Sequence, residues 1–110
     1  MTGNNYQHYA ARTINRNLNK HEQEHHALFG MSSEIGELQG LYQKELQGHE
    51  FKPEHAKKEL GDLLWFVAEY CTAKNWELDD VMKTNIDKLI DRYPEGFDPA
   101  LSINRKEGDI

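Results

Sequence analysis

The stretch 33–62, SEIGELQGLYQKELQGHEFKPEHAKKELGD, decides how this chain folds. It carries two acidic pairs, Glu34/Glu37 and Glu59/Asp62, each spaced i,i+3. On an α-helix that spacing puts both side chains on one face, about a turn apart. Between the pairs lies a break, Gly48 to Pro53, short enough to fold a second helix back against the first. Four carboxylates then converge on one helix–helix seam. Two unit charges ~5 Å apart repel by roughly 3 kcal/mol at an effective dielectric of 20, so the cluster calls for a cation. All-oxygen ligation by Glu34, Glu37, Glu59 and Asp62 favours Mg²⁺, with Mn²⁺ as a substitute, over zinc or iron. A di-iron bundle would draw on Glu-x-x-His within its helices. Here that motif occurs only at Glu22–His25, ahead of the seam. The bland alternative is a set of solvated surface acids. Against it, the acids neighbour the apolar Ile35, Leu38, Leu60 and Leu63, and the two pairs sit on consecutive helices.

Working outward, Leu28, Met31, Ile35, Leu38, Tyr42 and Leu46 step by three and four, which predicts a helix from about Glu22 to Leu46. Gly36, between the two glutamates, costs helix propensity and is expected where a neighbouring backbone or a ligand comes close. Gly48 stops this helix and Pro53 opens the next, which runs to about Lys74. Its stripe (Ala56, Leu60, Leu63, Leu64, Val67, Tyr70, Cys71) is broad enough for neighbours on two sides. Upstream, residues 4–18 read as a first helix with Asn4 as its N-cap, followed by a polar joint at 17–20. Downstream, Asn75 and Trp76 break the pattern. A fourth helix, about Glu77 to Tyr93, turns Leu78, Val81, Met82, Ile86, Leu89 and Ile90 inward and stops before Pro94. Residues 99–110 read as a loosely ordered tail. The expectation is one all-α domain over 1–110 with its core at 22–98, an antiparallel bundle of about four helices.

A chain of 110 residues buries roughly 60–65% of its unfolded surface on folding, which stabilises a lone bundle only marginally, so homo-oligomerisation is expected to complete the fold. Net charge is -6, which speaks against duplex nucleic acid as a partner. No apolar run approaches a membrane span, and the polar first residues lack a signal-peptide core. The single cysteine, Cys71, lies in the apolar run LLWFVAEYC and reads as a buried thiol in a reducing compartment, the cytoplasm.

A second group of polar residues accompanies the acids. Asn85, Lys88 and Arg92 recur at three and four residues on the fourth helix, so one amide and two cations share a face that can grip phosphate oxygens. The competing reading is a solvated face with Asp87 and Asp91 in ion pairs. Lys44 adds a cation beyond the first acidic pair. Trp65, three residues after Asp62, is placed either to stack on a base or to fill the core. The six histidines (His8, His21, His25, His26, His49, His55) are assigned no role.

The runs SEIGELQGLYQKEL, KKELGDLLWFVAEY and NIDKLIDRYPEGF resemble those of the MazG-like all-α nucleoside triphosphate pyrophosphohydrolases. That family's pattern is Glu-x-x-Glu, a spacer, Glu-x-x-Asp, and then Asn-x-x-Lys-x-x-x-Arg-Tyr-Pro-x-Gly-Phe. The resemblance covers roughly residues 28–98, with Asn85, Lys88, Arg92, Tyr93, Pro94, Gly96 and Phe97 in the third block. Many relatives have two adjacent glutamates where Ser33 and Glu34 stand, and a lysine pair where this chain has only Lys44. The resemblance implies hydrolysis of a nucleoside or deoxynucleoside triphosphate to the monophosphate and pyrophosphate. It further implies Mg²⁺ on the four acids, substrate contacts from Lys44, Trp65, Asn85, Lys88, Arg92 and Tyr93, and a homodimer or dimer of dimers with the site near the interface. Either Glu37 or Glu34 would be the carboxylate that orients or deprotonates the water.

Overall fold

The computed structural model describes residues 1–110. In chain order it forms α1 (Gly3–Ala10), a 3₁₀ turn (Ala11–Thr13), α2 (Lys20–Leu46), α3 (Pro53–Ala73), α4 (Leu78–Arg92) and α5 (Pro99–Ile103), with no strand. The all-α expectation holds.

The α2–α3 hairpin is the most extensively packed part of the chain. α2 starts two residues before the expected Glu22 because Asn19 and Glu22 form a reciprocal cap. The Glu22 backbone N–H donates to the Asn19 side chain at 2.8 Å, and the Asn19 N–H donates to the Glu22 carboxylate at 2.9 Å. The helix ends where Gly48 takes φ +99, a conformation glycine adopts without a Cβ clash. Small residues set the separation of the two helices: Ala27 on α2 and Ala68, Cys71 and Ala73 on α3 are all buried. Gly30 lets α2 approach closest, since a Cβ there would lie 2.2 Å from the Phe66 ring. Gly36, where close approach was expected, has nothing within 4 Å.

α1 is shorter than the helix expected over 4–18, and its cap is Thr2 rather than Asn4. Its end is occupied by α3: the Trp65 indole N–H donates to the Ala10 carbonyl at 3.1 Å and to Thr13 Oγ1 at 2.8 Å. Beyond that turn Ile14 becomes extended and is buried. Asn4 instead locks onto α4. Its N–H donates to Asp79 Oδ1 at 3.2 Å, and the Asp79 N–H donates to Asn4 Oδ1 at 2.9 Å. Gln7 spans the α3–α4 joint, donating to Thr72 Oγ1 at 3.1 Å and the Trp76 carbonyl at 2.9 Å, and accepting from the Leu78 N–H at 2.7 Å. α1 is therefore a clamp across the point where α3 turns into α4.

α4 packs less closely than the other long helices. Its one substantial helix contact is with α1. Of the six apolar residues expected to face inward, only Leu78 is buried, while Met82, Ile86 and Ile90 are 50 to 60% exposed. The Cα radius of gyration is 17.3 Å, against about 13 Å for a compact chain of this length. Accessible surface is 8333 Å², roughly 2,000 Å² more than a compact monomer of this mass presents. The tail, expected to be loose, carries α5 and is tied back where Asp109 meets Arg92.

Candidate metal centre and substrate cleft

One face of α3 reads His55, Glu59, Asp62, Trp65, about one residue per turn. Glu34 of α2 reaches across to it. One carboxylate oxygen from each of Glu34, Glu59 and Asp62 lies within 4.8 Å of the others. Glu34 Oε2 and Glu59 Oε2 are shut off from solvent and have no hydrogen-bond donor. A buried carboxylate oxygen without a donor is costly, and only a proton or a cation relieves it.

The protonation pattern expresses the same crowding. The neighbouring Glu59 carboxylate, then burial, then the charges of Glu37, Glu59 and Asp62 push the Glu34 carboxyl up to about 7. Glu37 is raised by the nearness and charge of Glu59. Glu59 is held below its ordinary value by the neighbouring Glu34 and Glu37 carboxyls and by His55. His55 Nε2 stands 3.1 Å from Glu59 Oε1. Glu37 itself is exposed and outside the tight trio. The donor set is all oxygen, compact, and contains two orphaned atoms, so it fits a hard divalent cation.

Two hollows flank the acids. One, of about 790 Å³, is bounded by Lys52, Glu54, His55 and Lys58 at one end, by Glu59 and Asp62 in the middle, and by Tyr6 and Trp65 at the other end. The smaller, about 240 Å³, is lined by Glu37, Lys44, His55 and Glu59. Lys44 thus stands beside the acids. The Trp65 N–H pins α1, and the residue also lines the larger hollow. The Tyr6 hydroxyl lies 3.4 Å from the Gly61 carbonyl, and burial followed by the charge of Asp62 raises its pKa.

The fourth-helix group lies elsewhere in the single chain. Neither hollow is lined by Asn85, Lys88 or Arg92. Arg92 is engaged by Asp109 through two bonds, Nε to Oδ2 at 2.8 Å and Nη2 to Oδ1 at 2.7 Å, which raises its pKa further. Lys88 borders a hollow of about 320 Å³ shared with Lys106 and Asp109 of the tail. Tyr93 is half-buried, its ring 5.4 Å from that of Phe97. Asp87 pairs with Lys83, whereas Asp91, expected to be paired on a solvated face, makes no ion pair.

Sequence reasoning missed Tyr6, Lys52, His55 and Lys58. The i,i+4 spacing of His55 and Glu59 was a usable signal for one of them. Tyr6 had none, because 55 residues separate it from its contact at Gly61. A second histidine also serves an acid: His26 Nδ1 meets both oxygens of the fully buried Glu69, at 2.8 and 3.0 Å, outside this site. No helix is long and apolar enough to cross a membrane.

Residues 19–97 match the family described as the MazG nucleotide pyrophosphohydrolase domain. The matched segment contains α2, α3, α4 and the turn through Phe97, while α1 and the tail lie outside it. No curated protein and no solved structure matches the chain significantly.

Proposed function

The chain belongs to the MazG nucleotide pyrophosphohydrolase family, and from that premise we propose that it hydrolyses a nucleoside or deoxynucleoside triphosphate to the monophosphate and pyrophosphate. The observation that carries this reading is the pair of buried, donorless oxygens, Glu34 Oε2 and Glu59 Oε2, in an acidic cluster whose Glu59 and Asp62 line a cleft that Lys52 and Lys58 also border. Glu34, Glu37, Glu59 and Asp62 would hold Mg²⁺. When bound, that ion supplies neutralisation of the triphosphate and of the charge that gathers on the departing pyrophosphate.

The chain's own groups do the rest. Lys52, Lys58 and His55 draw the β- and γ-phosphates to the first turns of α3, with Lys44 adding charge from α2. Water attacks the α-phosphorus, a new P–O bond forms, and the bond from the α-phosphorus to the bridging oxygen breaks. Glu37 takes the water's proton: it lies outside the tight trio, and its raised pKa brings it nearer to working pH. The protein acts as a homodimer or a dimer of dimers. The excess surface of roughly 2,000 Å² and the open apolar face of α4 are of the size and kind that an obligate homodimer buries. In the assembly Asn85, Lys88 and Arg92 serve the cleft of a second copy.

The test is pyrophosphate release, read as phosphate after coupling to inorganic pyrophosphatase, over the eight common NTPs and dNTPs with and without Mg²⁺. Mg²⁺-dependent release from at least one nucleotide is expected. Mg²⁺ that raises the melting temperature while no nucleotide yields pyrophosphate would overturn the reading in favour of a metal-binding or nucleotide-sensing module.

A further inference from the structure

The larger cleft is polarised along α3. Lys52, Glu54, His55 and Lys58 lie on the N-terminal side of Glu59, so both lysines of the lining stand at that end, and Trp65 lies beyond Asp62. At 1.5 Å per residue, Trp65 stands ~15 Å along the axis from His55, with the acids between them. The bond to be broken also lies inside its molecule, with the nucleoside on one side and two phosphates on the other. The reverse orientation would push those phosphates past Asp62 toward Tyr6, Gly61 and Trp65, where the cleft offers no cation.

Resting on the hydrolase reading above, we propose that the nucleoside seats against Tyr6 and Trp65, and that Tyr6, carried by a helix outside the family-matched segment, is a specificity-determining residue. Both rings are held before the ligand arrives. The indole N–H of Trp65 is spent on Ala10 and Thr13, so the ring does not turn freely. Tyr6 rides on α1, which Gln7 and Asn4 clamp to the α3–α4 joint. A wall fixed in advance loses little entropy on binding. The Tyr6 hydroxyl makes only a long contact, 3.4 Å to the Gly61 carbonyl, so it can exchange that contact for a nucleoside oxygen. Aromatic stacking on a base is worth roughly 5- to 150-fold in affinity.

The experiment compares Tyr6→Ala and Tyr6→Phe with the parent. It reads KM and kcat over the eight nucleotides, and inhibition by inorganic tripolyphosphate, which has no nucleoside. Tyr6→Ala should raise KM for the preferred nucleotide ~10-fold or more and flatten the ranking of bases, with the tripolyphosphate inhibition constant moving less than about 2-fold. Should Tyr6→Ala fail to fold, Tyr6→Phe decides, with KM rising roughly 2- to 10-fold for the loss of one neutral hydrogen bond. An unchanged nucleotide ranking, or an equal weakening of tripolyphosphate, would overturn the nucleoside wall alone. Absence of turnover with every nucleotide would instead overturn the hydrolase reading beneath it.

Discussion

Along the α2–α3 seam, side chains that repel one another are packed together; along α4, side chains that attract one another are left apart. Glu34, Glu59 and Asp62 crowd within 4.8 Å, while Met82, Ile86 and Ile90 lie open to solvent. Connectivity explains the first. The turn from Gln47 to Lys52 is too short for α3 to do anything but fold back on α2, and the buried alanines, Cys71 and Gly30 draw the helices close. The acids are carried along by apolar packing that outweighs their repulsion. α4 has no such constraint, because α1 fixes its start and no other helix packs extensively on the rest. One region stores unfavourable charge, and the other stores unfavourable surface.

The contrast is broken most severely at Glu59. Glu59→Ala should reduce turnover by at least ~10³-fold, because it removes a ligand and the partner of both Glu34 and His55. The metal-free melting temperature should stay the same or rise, since one member of a repelling cluster is gone. A clear fall in that temperature would show that the seam is held together by its acids rather than strained by them. Next in size is the open face. Ile86→Asp combined with Ile90→Asp should convert the assembly to monomers by sedimentation, leave helix content intact, and lower activity ~10- to 100-fold. Monomers with full activity would show that the α4 cations serve no neighbouring cleft.

The smallest effect sharpens the electrostatic half. Glu34 binds its proton more tightly in the folded chain, at about 7, than its ordinary carboxyl value allows in the unfolded one. The folded state therefore holds the extra proton between these values, and stability from this group is lost as pH rises through that window. Glu59 is shifted the other way, but its effect falls below its ordinary value and does not cancel the trend. The metal-free melting temperature should drop by a few degrees between about pH 5 and about pH 8, and Glu34→Gln should flatten the slope. Saturating Mg²⁺ should remove it too, by taking the proton's place. A slope that survives Glu34→Gln would assign the strain to another group.

How much of this was legible depended on how local each cause was. The α2 and α3 boundaries were readable to within two residues because Asn19, Gly48, Pro53 and Asn75 act within a turn of where they stand. The first helix was read too long because its end is set by Trp65, more than fifty residues away. Arg92 was read as free for phosphate, and its bond to Asp109 depends on the path of the tail through α5. His55 shows the converse: its i,i+4 spacing to Glu59 is local and visible in the sequence, but only the fold makes Glu59 part of an acidic cluster.

The amino-acid order alone determined that the chain is helical, where the hairpin turns, and that two acidic pairs ride on its two arms, since periodicity and turn chemistry are short-range properties. Only the tertiary structure decided that Glu37 sits at the rim of the cluster, that Tyr6 closes the end of the cleft, and that α4 stands away from the hairpin. Those outcomes turn on which surfaces meet, and contacts between distant residues are set by the packing of the whole molecule.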